Sequence, residues 1–222
     1  MPINYIQSYK ERFIMNILNN TMNKPIPWNK GKLTGQRPAL KLKEIWSIRA
    51  RLQISQNILE LALFNMAIDS KLRACDLVKL KVSDISHGSH INKRAMIIQQ
   101  KTGRSVQFEI TEQTRDAAEK LIKQANLGDS DYLFKSRFKN SEHLSTRQYA
   151  RIVKKWVSDI GLDPYDYGTH SLRRTKVSLI YRKTKNIRAI QLLLGHAKIE
   201  STVRYLGFEV DDALEMSEHI DI

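Results

Sequence analysis

A chain of 222 residues, 41% hydrophobic and 27% charged, is long enough for a sizeable core and has an ordinary soluble, globular composition. Its net charge is +14, and because residues 209–222 hold six acids and no Lys or Arg, the rest carries +20, which favours a polyanionic partner. The single cysteine, Cys75, excludes an internal disulfide framework and a cysteine-rich zinc site and fits a reducing cytoplasm; no apolar run reaches the length of a membrane span, and the N-terminus lacks the pattern of a signal peptide.

Residues 1–38 read as a basic extension or arm. Residues 5–18 fit one amphipathic helix, after which Pro25, Pro27, Gly31, Gly35 and Pro38 break any regular pattern. Lys24, Lys30, Lys32 and Arg37 leave two readings open: an arm that orders along a polyanionic backbone, or a solvated linker that packs Trp28 on the domain. Apolar spacing predicts helices over 42–52, 57–68 and 72–80, the second apolar enough to be a core element. Arg73 and Asp76 lie in the third. Val82 to Ile85 is expected to begin a strand. Two alternating segments, 94–100 and 105–110, flank Lys101, Thr102, Gly103 and Arg104 and predict a β-hairpin with Lys101 at its tip. A polar helix follows over 111–124, then a short apolar piece at 131–134 and a basic loop at 135–143. A helix over 145–160 opens on a plausible Ser145 cap, and its outer face carries Arg147, Arg151, Lys154 and Lys155.

The segment 168–207 is the densest in chemistry. It holds nine Lys or Arg between His170 and Tyr205 and one acid, Glu200. His170 and Arg173, three apart, project from one helix face, and an arginine fork suits two phosphate oxygens. The run LLLGH reads as a helix end, with Gly195 in the left-handed conformation and His196 at the mouth of the turn. The next short helix carries Tyr205, whose hydroxyl is a poor nucleophile near neutral pH unless cations stabilise its oxyanion and the group it attacks. There is no Walker-type phosphate loop, and the six histidines, among them the pair His87 and His90, form no convincing metal cluster.

HSLR, LLLGH and a tyrosine nine residues beyond that histidine resemble the tyrosine recombinases, or phage-type integrases, over about residues 40–208. The resemblance implies a mainly α catalytic domain (39–208) with a small antiparallel β-sheet. It implies breakage and rejoining of double-stranded DNA through a covalent 3′-phosphotyrosine, without metal, ATP or other cofactor. By the same resemblance Arg73 and Arg173 clamp the phosphate, His196 hydrogen-bonds it, His170 assists proton transfer from the nucleophile Tyr205, Lys101 protonates the leaving group and Asp76 orients an arginine. Arg174, Arg182, Lys183 and Arg104 are expected to contact the DNA backbone. Family members usually carry a helical DNA-clamping domain ahead of the catalytic one, and the 38 residues here are too few for it.

The acidic tail, 209–222, fits either docking on a neighbouring protomer of a homo-oligomer, a tetramer on DNA, or packing on its own domain. The setting implied is cytoplasmic, on the DNA of a bacterium, phage or mobile element. Two other activities share these residues: a type IB-like topoisomerase, which would relax circles as a monomer, and a non-catalytic DNA-binding regulator, which would form no covalent adduct.

Overall fold

Residues 62–70 are buried without a break, and they lie on the helix around which the domain is arranged. The structure, a computed structural model, describes residues 36–88, 90–137, 141–206 and 218; the expected helix at 5–18, the arm around Trp28 and nearly all of the acidic tail lie outside the described residues.

Helix α1 (Leu42–Ile54) ends in a turn where Gln56 has a positive φ, and the Asn57 side chain caps α2 (Ile58–Ser70) by accepting from the Glu60 amide at 3.2 Å. α2 is apolar on nearly every side, so it needs neighbours all round. It is packed by α1, by α5 (Glu112–Gln124) and by α7 (Thr169–Thr184). Trp156 of α6 (Thr146–Asp159) also reaches it, edge-on to Phe64 at 5.3 Å and donating to Glu60 Oε2 at 2.7 Å. The α6 cap is the one its sequence predicts: Ser145 Oγ accepts from the Gln148 amide at 3.1 Å.

The predicted helix over 72–80 shrinks to one turn, α3 (Ala74–Leu77), with Arg73 extended just before it. The segment Val82–Ile85 is not a strand. It is a second single turn, α4, because the Asp84 carboxylate accepts from the Lys81 amide at 2.8 Å while the Val82 and Ser83 amides are taken by Asp131 and Asp129 carbonyls. A two-residue ladder follows, β1 (Ser86–His87) against β2 (His90–Ile91), and it sets His87 opposite His90. The predicted hairpin is present as β3 (Arg94–Ile98) antiparallel to β4 (Ser105–Glu109), with Ile97 opposite Val106. The Gln99 amide closes its loop on the Arg104 carbonyl at 2.8 Å, and Gly103 supplies a positive φ.

Three further elements complete the site. α7 is pinned to α2 and β4 by Lys176, which lies 2.6 Å from both Asp69 and Glu109, while buried Lys71 holds Glu109 from below at 2.8 Å. α8 (Ile187–Leu194) packs on α7 and β4, and α9 (Ile199–Leu206) on α7 and α8. These last helices share a small apolar cluster of Val177, Ile190 and Leu194, fringed by Tyr205 and Leu206, apart from the main core. No helix among the described residues is long and apolar enough to cross a membrane.

Candidate active site

Leu194 ends α8 because Gly195 takes φ +67, ψ +33, the stop predicted from the sequence. The turn is further held by Gln191, whose side-chain amide donates to the carbonyls of His196 at 3.1 Å and Ala197 at 3.2 Å. It lies directly against the hairpin: a Cβ on Gly195 would sit 2.4 Å from Val106 Cγ1. This contact brings the hairpin, the His196 turn and α7 to one place.

Arg173 is 3% exposed and its Nη2 donates to the Leu194 carbonyl at 3.0 Å, leaving its Nε without a partner among the described residues. Arg73 comes from the opposite side, its Nη1 donating to Gln99 Oε1 at 2.6 Å. Asp76 lies 4.0 Å from Arg73, but its firmer bond is to the hairpin, where Oδ1 accepts from the Gln100 amide at 2.9 Å. Asp76 therefore ties the hairpin to the arginine as well as facing the arginine. Lys101 is exposed in the hairpin loop two residues beyond Gln99.

Tyr205 is brought in by α9 of the same chain. Its ring lies 5.5 Å from the Arg173 guanidinium, 5.2 Å from that of Arg174, and edge-on to His196 at 5.4 Å. Its hydroxyl is buried with no hydrogen-bond partner among the described residues. Burial pushes this hydroxyl above its ordinary pKa, while Arg173, Arg174 and Arg73 pull the other way. In this arrangement the Tyr205 hydroxyl is held neutral among the three arginines.

Arg174 does not face outward as a backbone contact would. It is 9% exposed, and its Nη groups donate to the carbonyls of Arg37 at 2.7 Å and Tyr205 at 2.5 Å, so it holds the helix that carries Tyr205. Arg104, Arg182 and Lys183 are exposed. His170 stands at the start of α7 and is exposed, yet partial loss of water and then the charges of Arg173, Arg174, Arg37 and Arg73 hold it below its ordinary pKa.

His196 is half-buried, its Nδ1 3.1 Å from the Thr202 hydroxyl. Burial, then Arg173 and Arg73, lower its pKa to about 4. With the hydroxyl donating to Nδ1, Nε2 carries the proton and is a donor for a phosphate oxygen. The folded state thus binds this proton less readily than the unfolded chain. Stability should be full above pH 6.5, the ordinary value, and decline as pH falls towards about 4. Thermal melts of His196→Asn should show a shallower decline across that window; a parallel decline would mean the imidazole is not its source.

Residue patterns alone do not point to Gln99, Gln191 or Thr202. A signal for Gln99 was nonetheless there: the alternation along β3 that turns Ala95 and Ile97 inward also turns Gln99 inward, where a polar side chain needs partners.

The sequence pattern of the phage integrase family matches residues 39–209. YoeC, a probable integrase/recombinase of Bacillus subtilis (strain 168), is 30% identical over 183 residues, which covers 79% of this chain and 91% of that protein. The chain spans about half the length of other curated tyrosine recombinases that it matches, 44% to 47%. The crystal structure of XerA recombinase superposes with a TM-score of 0.68 at 20% identity, covering 91% of this chain and 72% of that one. XerH recombinase, in a pre-cleavage complex with its difH substrate, gives 0.63 at 18% identity, covering 84% and 55%. The mainly helical architecture with its small antiparallel sheet therefore has one family behind it: the chain belongs to the phage integrase family and has the fold of a tyrosine recombinase catalytic domain.

Proposed function

We propose that this chain is a site-specific DNA recombinase or integrase that cuts and rejoins strands through Tyr205. The observation that carries the reading is the convergence, within one protomer, of Tyr205, His196 and the guanidinium groups of Arg173 and Arg73. Four separate elements, the start of α3, α7, the turn after α8 and α9, do not place a tyrosine, a histidine and two buried or half-buried cations together for packing alone.

The Tyr205 oxygen attacks a backbone phosphorus of double-stranded DNA. A tyrosyl O–P bond forms and the bond from phosphorus to the 5′-oxygen breaks. The phenolic proton leaves by way of His170, and Lys101 gives a proton to the departing 5′-oxygen. Arg73 and Arg173 offset the charge that grows on the non-bridging oxygens, and His196 donates to one of them. The 3′-phosphotyrosine keeps the bond energy, so the 5′-hydroxyl of a second strand reverses the step on a new partner without ATP. Two guanidinium groups supply the positive charge, and the scheme calls for no metal or cofactor. Exchange of two duplexes consumes four cuts, so the working assembly is a tetramer of this chain on DNA, in the cytoplasm, with the acidic tail as one means of joining protomers. Arg104, Arg182 and Lys183 lie exposed and are available to phosphates of the duplex.

A buried hydroxyl cannot meet a phosphorus, so α9 must shift when DNA arrives. It is the element best able to do so, since Thr202 alone of its residues is fully buried.

A pool of nicked duplexes with a randomised core tests the reading, because the nick lets the 5′-fragment escape and traps the covalent state. A denaturant-resistant complex is expected, and protease digestion should leave the nucleotide on the peptide that contains Tyr205. Complete absence of adduct across the pool would reject a strand transferase. On a duplex selected from that pool, Lys101→Ala should slow cleavage by about 10²-fold, the usual scale for a general acid. A 5′-sulfur leaving group, which needs no proton, should restore it; failure of that rescue would move the role to another group.

A further inference from the structure

Gln99 is a neutral residue with no chemistry of its own, yet it is 1% exposed at the point where Arg73, the hairpin loop and the end of α8 meet. Its Oε1 accepts from Arg73 Nη1 at 2.6 Å and from the Thr102 hydroxyl at 2.9 Å. Its Nε2 donates to the Leu194 carbonyl at 3.1 Å, the same oxygen that accepts from Arg173 Nη2 at 3.0 Å. The orientation of the amide follows from its partners, since a guanidinium only donates and a carbonyl only accepts. Around one amide, then, are both guanidinium groups, the loop that carries Lys101, and the turn that carries His196. The backbone of Gln99 adds to this by closing the hairpin through the Arg104 carbonyl and the Gly103 amide, each at 2.8 Å.

We propose that Gln99 is the positioning residue of the strand-transfer site: its side-chain amide locks Arg73, the Lys101 loop and the turn at Leu194 into one arrangement, so that the phosphate clamp and the proton donor act on the same phosphorus. An acceptor is required on one side and a donor on the other, and the primary amide supplies both at any pH. Among the described residues this amide is the hydrogen-bond acceptor that Arg73 has, and its carboxylate neighbour Asp76 lies 4.0 Å away through Oδ2, beyond hydrogen-bond reach, while Oδ1 accepts from the Gln100 amide. A flexible arginine side chain left without that bond samples other rotamers, and the clamp is lost for most of the time. Gln99 does not touch the reacting atoms.

The inference rests on the strand-transfer reading, and the experiment separates the two. The intact chain and its Gln99→Met variant, close in shape but without hydrogen bonds, are compared on a nicked duplex selected from the randomised pool. A second duplex of the same sequence carries a methylphosphonate at the scissile position, which removes the charge that the guanidinium pair offsets. Gln99→Met should bind the duplex within about 2-fold of wild type and cleave about 10²-fold more slowly. On the methylphosphonate duplex the deficit should shrink to less than about 10-fold, because a misplaced arginine matters less there. An equal deficit on both duplexes would show that Gln99 serves only the fold and would overturn the proposal, as would wild-type cleavage by the variant. Should Gln99→Met not fold, Gln99→Glu decides. Ionised, its carboxylate accepts from Arg73 but cannot donate to Leu194; protonated, it does both. The ratio of variant to wild-type cleavage should rise as pH falls, and a flat ratio would overturn the proposal. If wild type itself forms no adduct with any duplex in the pool, the strand-transfer reading falls, and the role of Gln99 with it.

Discussion

Tyr205→Phe is expected to abolish covalent capture of DNA while leaving the fold as stable as before or slightly more so. Loss of an enzyme's nucleophile costs roughly 10⁴-fold or more in rate, and with the ring of Tyr205 as the aromatic group set 5.5 Å from Arg173 the denaturant-resistant complex should vanish. The stability half of the prediction comes from the geometry. The phenolic oxygen is buried without a hydrogen bond among the described residues, whereas the ring keeps its contacts with Arg173, Arg174 and His196. Removing an unsatisfied buried polar atom recovers up to about 1–3 kcal/mol, so the melting temperature should hold or rise. Calorimetry alongside the adduct assay checks both parts. A large drop in melting temperature would mean that the hydroxyl has a partner and that α9 sits differently from the arrangement described. Persistence of the adduct would transfer the nucleophile to another residue.

Gly195→Ala should be the most damaging change that touches no reacting group. Two costs fall on one methyl. A left-handed φ of +67 is unfavourable for alanine by roughly 1–2 kcal/mol. The new Cβ would also lie 2.4 Å from Val106 Cγ1 and 3.2 Å from Gln99 Oε1, and overpacking of this kind costs about 1–3 kcal/mol more. The structure relieves it by pushing the turn away from the hairpin. That motion draws the Leu194 carbonyl from Arg173 and Gln99 and swings His196 out of line, so cleavage should fall by about 10²-fold even where the protein still folds. A second change, Val106→Ala, makes room for the methyl. If the overlap is the main cause, the pair together should lose less stability than the two single losses added, and strict additivity in a double-mutant cycle would place the cost in the backbone angle alone.

The same turn shows how far local pattern carries. Gly195 was legible because LLLGH is a local signal: a helical run, then the residue that tolerates a left-handed stop. The hairpin around Lys101 and the caps at Asn57 and Ser145 depend likewise on residues a few positions apart. Val82 to Ile85 went wrong for the complementary reason. The β-branched Val82 and Ile85 read as a strand, but the amides of Val82 and Ser83 are taken by carbonyls some fifty residues away, and the Asp84 carboxylate completes a helical turn. Arg174 illustrates the same limit at the site. In a basic run it is indistinguishable from Arg182 or Lys183, yet packing buries it against the carbonyl of Tyr205 while they stay in water.

By itself the sequence determined which functional groups the chain owns, their order, and the helices and hairpin that present them, because these follow from side-chain chemistry and from periodicities of two and 3.6 residues. Only the tertiary structure decided that Arg73 donates to Gln99 as well as facing Asp76, that Gln99 and Arg173 share the Leu194 carbonyl, and that Thr202 lies against the imidazole of His196. The Gln99 bond to Leu194 joins residues 95 apart in the chain, and a hydrogen bond is felt over about 3 Å. Its partners are therefore chosen by how the hairpin packs on the end of α8, a choice that no stretch of neighbouring residues contains.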